Sequence, residues 1–182
     1  ALHDLGVALM NVGRLDEALI FQEESVAIAM RVDGPDAPWT IECEELLATT
    51  MSRQGGTENW TCAHEMLSRI YNRKLKIFGS NNTNTLNAAA FLASTKSELG
   101  MLGEATSLMR TVLEGQRRVR GETHFQTVEA EIILADMLVA QDEIAEARAI
   151  RDRLLPVVKR IFGPDHRLTC ILGATDFLDP FD

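Results

Sequence analysis

Apolar side chains recur along this chain at the spacing of an α-helix, three or four positions apart, with polar side chains between them. Two shorter stripes and two longer ones follow this spacing. They comprise Ile41, Leu46, Leu47 and Met51; Leu86, Phe91, Leu92 and Leu99; Ala105, Leu108, Met109, Val112 and Leu113; and Ala147, Ile150, Leu154, Leu155, Val158 and Ile161. The pattern predicts short first helices and longer second helices, packed through an aliphatic core.

A glycine returns at a nearly fixed interval, which indicates stacked helical repeats. The series is Gly34, Gly79, Gly121 and Gly163, with intervals of 45, 42 and 42 residues (79 − 34, 121 − 79, 163 − 121). A threonine follows each glycine six positions later, and an acidic residue with an alanine recurs half a repeat upstream. The longer first interval places three extra residues around Gly55, Gly56 and Thr57.

We predict an all-α fold, a right-handed α-solenoid of about four helix-turn-helix units in a single domain over residues 1–182. The units run approximately over residues 1–34, 35–79, 80–121 and 122–163, and a terminal helix follows over 164–182. Side-chain oxygens of Asn84, Thr85, Asp165 and Thr169 are expected near helix starts. Pro156 is expected to kink or locally break the last long helix.

Bulk properties narrow the class of protein. The formal net charge of −9 argues against nucleic-acid binding, and no apolar run is long enough to span a membrane. We therefore expect a soluble protein, inside the cell or in an organellar lumen, with the cytoplasm as the default. The start at Ala1, within a helical pattern, suggests a processed precursor or part of a longer chain.

The sequence offers little that resembles an active site. Cys43, Cys62 and Cys170 are scattered, so we predict buried or partly buried reduced thiols, no metal site and no cofactor. His124 and His166 are 42 residues apart, which favours a structural linker role over catalysis. We predict that the protein is not an enzyme.

Three segments resemble tetratricopeptide repeats, specifically the 42-residue repeats of kinesin light chains. Residues 162–166 (FGPDH) are close to the linker LGPDHP of that family, and residues 33–38 (DGPDAP) are a second copy. Residues 5–18 resemble the pattern LGxxYxxxGRYxEA. The resemblance covers nearly the whole chain and implies that the first helices line a concave groove, which commonly receives a peptide.

The resemblance also implies which residues face that groove. The Asn pair typical of such repeats is absent from the equivalent positions. The register instead places carboxylates and a few apolar side chains there, which suits a partner carrying Lys or Arg beside hydrophobic anchors. These candidates are Glu42, Glu45, Leu46, Thr49, Asn87, Phe91, Ser94, Glu129, Ile132, Ile133 and Asp136, and Trp39 and Trp60 are added as possible contact residues.

Several alternatives stay open. Phe91, Ile132 and Ile133 either bind a partner or pack against a neighbouring helix, and the two tryptophans either form a contact surface or cap hairpin ends. The main functional hypothesis is a non-catalytic adaptor or assembly subunit for another protein. The alternative is a regulatory sensor that binds a short peptide or small ligand. Self-association through uncapped ends is a further option, with residues 177–181 as a cap or an inserted segment.

Overall fold

The computed structural model describes residues 1–173, and the predicted cap at residues 177–181 lies outside them. Within this range the chain forms nine α-helices and no strand. The helices are α1 (Leu2–Asn11), α2 (Leu15–Val32), α3 (Pro38–Gln54), α4 (Thr57–Phe78), α5 (Thr83–Glu98), α6 (Leu102–Arg120), α7 (Phe125–Ala140), α8 (Ile144–Phe162) and α9 (Arg167–Gly173). First helices are shorter than second helices in each hairpin, as the apolar stripes predict.

The chain divides into two compact units, one from Ala1 to Gly79 and one from Ser80 onward. In the first unit α1, α2, α3 and α4 pack consecutively, and in the second unit α5, α6, α7, α8 and α9 do the same. The predicted single domain over residues 1–182 stays a prediction.

Four alanines set the distance between helices. Ala18, Ala63, Ala105 and Ala147 each lie 16 residues before a linker glycine, and none has any exposed surface. A larger side chain at these positions would separate the helices. The recurring alanine of the sequence is therefore a packing residue.

The three extra residues of the second repeat lengthen a helix rather than a loop. Ala63 follows Gly55 by eight residues, whereas Ala105 follows Gly100 by five. Helix α4 has 22 residues, whereas α6 and α8 have 19 each. The turn at Gly55 and Gly56 has two residues, whereas the turn between α5 and α6 has three, so the added residues form the start of α4 and not a longer loop.

The glycine–threonine spacing forms a hydrogen bond in two linkers. Gly34 and Gly163 have positive φ angles of 87° and 94°, which L side chains rarely adopt. Thr40 Oγ1 donates to the carbonyl oxygen of Gly34, and Thr169 Oγ1 donates to that of Gly163, both at 2.7 Å. The buried hydroxyl of Thr127, by contrast, has no partner among residues 1–173.

The side chains of the two linker histidines cap the N-termini of helices, which confirms their predicted structural role. His124 Nδ1 accepts a hydrogen bond from the Gln126 N–H, and His166 Nδ1 accepts one from the Leu168 N–H, both at 3.2 Å. The side chain that caps α5 is that of Asn82, two residues before the predicted Asn84. Likewise His166, rather than Asp165, caps the first turn of α9.

Helix α8 continues through Pro156, so of the two predicted alternatives the local break is excluded, and the kink stays a prediction. Proline removes one backbone donor and leaves the carbonyl of the residue four positions earlier without its helical partner. Pro156 and Asp152 both lie on the exposed side of α8. Water can therefore solvate that carbonyl without interrupting the helix.

The thiols are free, as predicted, but differ in burial. Cys43 is buried between helices, whereas Cys62 and Cys170 are exposed. The expectation that all three are at least partly buried is therefore wrong for two of them. Cys62 and Cys170 lie on outward sides of α4 and α9, which none of the described elements covers.

The closest approach between α5 and α6 depends on Gly115. A methyl group at this residue would lie 2.5 Å from Cδ2 of Leu86, which is itself 5% exposed. We predict that Gly115→Ala lowers the free energy of unfolding by about 1–3 kcal/mol through overpacking. The control is Gly103→Ala on the same helix, where nothing lies within 4 Å and a gain of about 0.5–1 kcal/mol is expected. Urea unfolding distinguishes them, and equal effects would contradict the prediction.

Thr40 and Thr127 form a second matched pair, because both have no exposed surface. Thr40→Val removes the bond to Gly34 and should cost about 0.5–1.5 kcal/mol. Thr127→Val removes a buried hydroxyl without a partner and should be neutral or stabilising. Denaturant midpoints measure both, and a larger loss for Thr127→Val would contradict the assignment of the linker bond.

Candidate functional site

A pocket of about 210 Å³ opens between α5 and α7 in the second unit. Helix α6 packs against both of these helices, whereas α5 and α7 barely touch each other. The space between them is therefore held open by α6. Its lining residues are Asn87, Ala90, Phe91, Ser94, Gln116, Gln126, Glu129, Ala130 and Ile133.

Five predicted groove residues line this pocket and repeat across the two helices. They are Asn87, Phe91, Ser94, Glu129 and Ile133. Phe91 and Ile133 are 42 residues apart, as are Asn87 and Glu129, so equivalent positions of successive repeats face each other. Phe91 is 40% exposed and Ile133 is half-buried, which makes an apolar wall with an accessible surface.

Gln116 supplies a polar group that the sequence prediction missed. Its side chain is 2% exposed, and its Nε2 donates to Asn87 Oδ1 at 3.3 Å. Its Oε1 is buried and has no partner in the part of the chain that the structure describes. Because Nε2 donates to Asn87, the end of the Gln116 amide that is left free is the acceptor Oε1.

The repeat pattern of the sequence contains a signal that could have identified Gln116. The residue lies on a second helix, whereas only first helices were expected to face a groove. Positions 29, 74, 116 and 158 are equivalent, and the first and last hold Ala29 and Val158. A polar residue at a position that is otherwise apolar marks Gln116 and also Lys74, and both are buried and bonded to a first helix.

Two predicted carboxylates lie on α7, and one of them, Glu129, lines the pocket. Glu129 is partly exposed and pairs with Arg167 at 3.1 Å, so part of its charge is compensated. Asp136 lies on the same side of α7, two turns further along, and has no hydrogen bond or ion pair within residues 1–173. Its side chain keeps an exposed edge, yet the surrounding protein displaces enough water to raise the pKa of the carboxyl to about 6.

Ile132 does not belong to this surface. It is 4% exposed and packs in the core, so its placement among the groove residues is wrong and the packing alternative holds for it. Successive helical residues point about 100° apart, so Ile132 and Ile133 cannot face the same way. Ile133 follows Glu129 on the open side of α7, whereas Ile132 faces inward.

In the first unit the predicted carboxylates behave differently from one another. Glu45 pairs with Lys74 at 2.5 Å, and their side chains are 15% and 8% exposed. Burial raises the pKa of Glu45, and the ammonium of Lys74 opposes this shift. Glu42 remains exposed, while Leu46 and Thr49 are half-buried. Of these four, Glu42 alone offers a largely open side chain to a partner.

The two tryptophans also differ in exposure and in their contacts. Trp39 is 44% exposed and its ring lies against His3, with ring centroids 4.7 Å apart. Trp60 is half-buried, and its Nε1 donates to the Ser52 carbonyl oxygen at 3.1 Å. Trp60 thus closes the α3–α4 hairpin, as its capping alternative proposed, whereas Trp39 keeps an accessible face.

Residues 1–173 contain no group of three or more His, Cys, Asp or Glu side chains placed to hold a metal ion. None of the described helices combines the length and the apolar character that crossing a bilayer requires.

Comparison with known proteins shows what the chain is similar to. A family model described as tetratricopeptide repeat matches residues 1–59. A crystal structure of "Podosopora anserina" putative kinesin light chain "nearly identical TPR-like repeats" aligns at 19% identity and a TM-score of 0.78, over 94% of this chain and 80% of that one. A point variant of that protein matches over 94% and 79%, with the same identity and TM-score.

A more distant match is BtubC (BKLC) from P. vanneervenii, at 15% identity and a TM-score of 0.68, covering 87% of this chain and 62% of that one. No curated protein matches the chain. At these identities the solved structures show the fold alone. The predicted all-α helical-repeat fold, similar to that of kinesin light chain repeats, is confirmed.

The raised pKa of Asp136 has a consequence for stability. The folded protein disfavours this carboxylate, so its contribution lowers the free energy of unfolding as pH rises from about 4 through about 6 and then levels off. We predict that Asp136→Asn, which cannot ionise, stabilises the protein at pH 7.5 and has no effect near pH 4.

Urea midpoints measured from pH 4 to 7.5 would test this pH dependence. Asp152→Asn, a change of the same charge at an exposed site on α8, controls for the general relief of net negative charge. Parallel pH curves for the two variants would contradict the prediction.

Proposed function

Because the chain carries tetratricopeptide repeats with the fold of kinesin light chain repeats, we propose that it is a non-catalytic scaffold for protein interaction. Repeats of this kind generally bind proteins or peptides. The finer part of the proposal is that the pocket between α5 and α7 holds one side chain of an extended partner segment. The observation that carries it is an accessible apolar wall above a buried acceptor without a partner.

The size of the pocket supports a partner segment over a free small ligand. Sites for small molecules usually enclose about 300–1,000 Å³. The space here is about 210 Å³, which accommodates a large aliphatic or an aromatic side chain. A sensor for a small ligand therefore has less support than a scaffold that takes one side chain of a longer chain.

The floor of the pocket favours a hydrogen-bond donor. A buried acceptor left unsatisfied costs about 1–3 kcal/mol, and a donor from the partner would recover part of that cost. Gln116 Oε1 is such an acceptor. A backbone N–H beside the inserted side chain would supply the donor, which suits an extended peptide better than a helix whose N–H groups are already bonded.

The carboxylates on α7 indicate which charge the partner should carry. Asp136 is an exposed carboxylate with no cation bonded to it within residues 1–173, and Glu129 shares its charge with Arg167. A Lys or Arg near the anchoring side chain would complement Asp136 at neutral pH. We therefore expect a partner segment with one large apolar residue and a base within a few positions of it.

Peptide display tests the proposal. The full chain would be screened against a library of random peptides, and enriched peptides would be measured by fluorescence polarisation. We predict that Phe91→Ala, which removes most of the apolar wall, weakens binding at least about tenfold, since burying such a side chain contributes about 1.5–3 kcal/mol. The matched control is Val119→Ala on α6, because Val119 is 44% exposed and outside the pocket.

The possible outcomes distinguish a role of this pocket from a scaffold function of the chain in general. Enriched peptides that bind Phe91→Ala as tightly as the wild-type chain would exclude this pocket while leaving a scaffold function open. Failure to enrich any peptide would count against a peptide-binding groove as a whole. Loss of binding in Val119→Ala as well would point to general destabilisation, which circular dichroism would reveal.

A further inference from the structure

Helix α1 presents an aliphatic stripe to solvent. Leu5, Ala8 and Val12 follow one another at helical spacing, and all three are exposed. Leu5 is 42% exposed and Val12 is 70% exposed. We call these three residues the α1 stripe. No described element of the first unit covers it.

The repeat identifies what this stripe is. Adding 42 to its positions gives Leu47, Thr50 and Gln54 on α3, and adding 129 (42 + 45 + 42) gives Leu134, Met137 and Gln141 on α7. Leu47 is 8% exposed and Leu134 is 2% exposed. The same helix face is therefore covered in later repeats and open in the first one.

Side-chain contacts show which element covers the face in those repeats. In the first unit Gln54 Nε2 donates to Asp16 Oδ1 at 2.5 Å, and Ser25 Oγ lies 3.4 Å from Cys43 Sγ, so α2 covers both ends of the face on α3. In the second unit Gln141 Nε2 donates to the Leu102 carbonyl oxygen at 2.8 Å, so α6 reaches the face on α7. In both cases the cover is the preceding second helix.

We infer that the α1 stripe is a docking face for the second helix of a further repeat of the same design, seated on α1 as α2 is seated on α3. Two residues of α2 whose side chains reach α3 describe its chemistry: Asp16, which accepts from Gln54, and Ser25, which lies against Cys43. Val12 occupies the repeat position that Gln54 and Gln141 hold in later repeats, where both glutamines make polar contacts. The first turn of the docking helix therefore carries an apolar residue where α2 has Asp16.

A head-to-tail second copy of this chain fits less well. It would have to offer the outer face of α8, which is the last second helix. That face is already covered, because α9 packs on α8 through buried Leu168 and Leu172, and Arg151 Nε donates to the Leu172 carbonyl oxygen at 2.9 Å. The docking helix accordingly belongs to a repeat other than those described here.

A grafted repeat tests this inference. A copy of residues 1–42, with Asp16→Leu in the copy to match Val12, is joined in front of Ala1. The copied α2 then precedes α1 at the native spacing, because Ala1 follows the copied Glu42 as Cys43 follows Glu42 in the original sequence. Hydrogen exchange of the α1 amides is the measurement. We expect exchange to slow at least about tenfold, because covered helices open less often. Leu5→Glu in the grafted chain should abolish the protection.

The control is Ile161→Glu in the same graft, because Ile161 is also 42% exposed but lies on α8. A hydrocarbon-stapled peptide of residues 15–32, with Asp16→Leu to match Val12, is added to the ungrafted chain as an independent probe. It should protect the same amides. Absence of protection with both graft and peptide would overturn the inference, as would equal loss in the two glutamate variants.

Light scattering of the ungrafted chain tests whether a second copy of the chain occupies the α1 stripe. We expect a mass that does not depend on concentration. A dimer that dissociates in Leu5→Glu would assign the stripe to a second copy and overturn the inference. Neither readout uses peptide binding at Phe91, so its failure is distinguishable from failure of the proposed function.

Discussion

Close packing of consecutive helices through small residues is the constraint on which the remaining structure depends. Ala105 and Ala147 have no exposed surface, and Gly115 lets Leu86 approach the α6 backbone. A helical hairpin cannot bury both of its faces alone, so each one depends on its neighbours for stability. The pocket follows from this arrangement, because α6 packs on both α5 and α7 and keeps them apart. Gln116 forms its floor because α6 runs beneath it.

Internal ion pairs decide how much of the net charge a partner would encounter. In the first unit Arg73 pairs with Glu44 and Lys74 pairs with the predicted groove residue Glu45, so both carboxylates are compensated. Glu131, 3% exposed, bonds to Arg117 and Arg153 in the second unit. A carboxylate that keeps a bonded cation offers little to a basic ligand. The net charge of −9 already counts these cations, so a basic partner responds chiefly to carboxylates without a bonded cation, and Asp136 is one of them within residues 1–173.

The periodic part of the structure could be predicted from sequence, and the exceptions could not. The glycine interval and the apolar stripes locate the helices, because a 3.6-residue period and a left-handed turn are local properties. The linker role of His124 follows from its repetition at His166. Burial of Ile132 beside accessible Ile133 depends on how α7 is rotated against its neighbours, which no local pattern specifies. The same holds for Gln116, whose place in the pocket depends on α6 lying under two other helices.

The energetics of one pocket limit what the groove can do alone. Burying one large side chain contributes about 1.5–3 kcal/mol, and satisfying one buried acceptor adds about 1–3 kcal/mol. Their sum is close to the roughly 4 kcal/mol that corresponds to millimolar affinity, before the cost of ordering a peptide is subtracted. Tight binding at this site therefore needs contacts on neighbouring repeats or several linked segments, whose effective concentration multiplies weak affinities. The α1 stripe matters for the same reason, because a further repeat docked there would extend the row of first helices and add positions at which a long partner could be held.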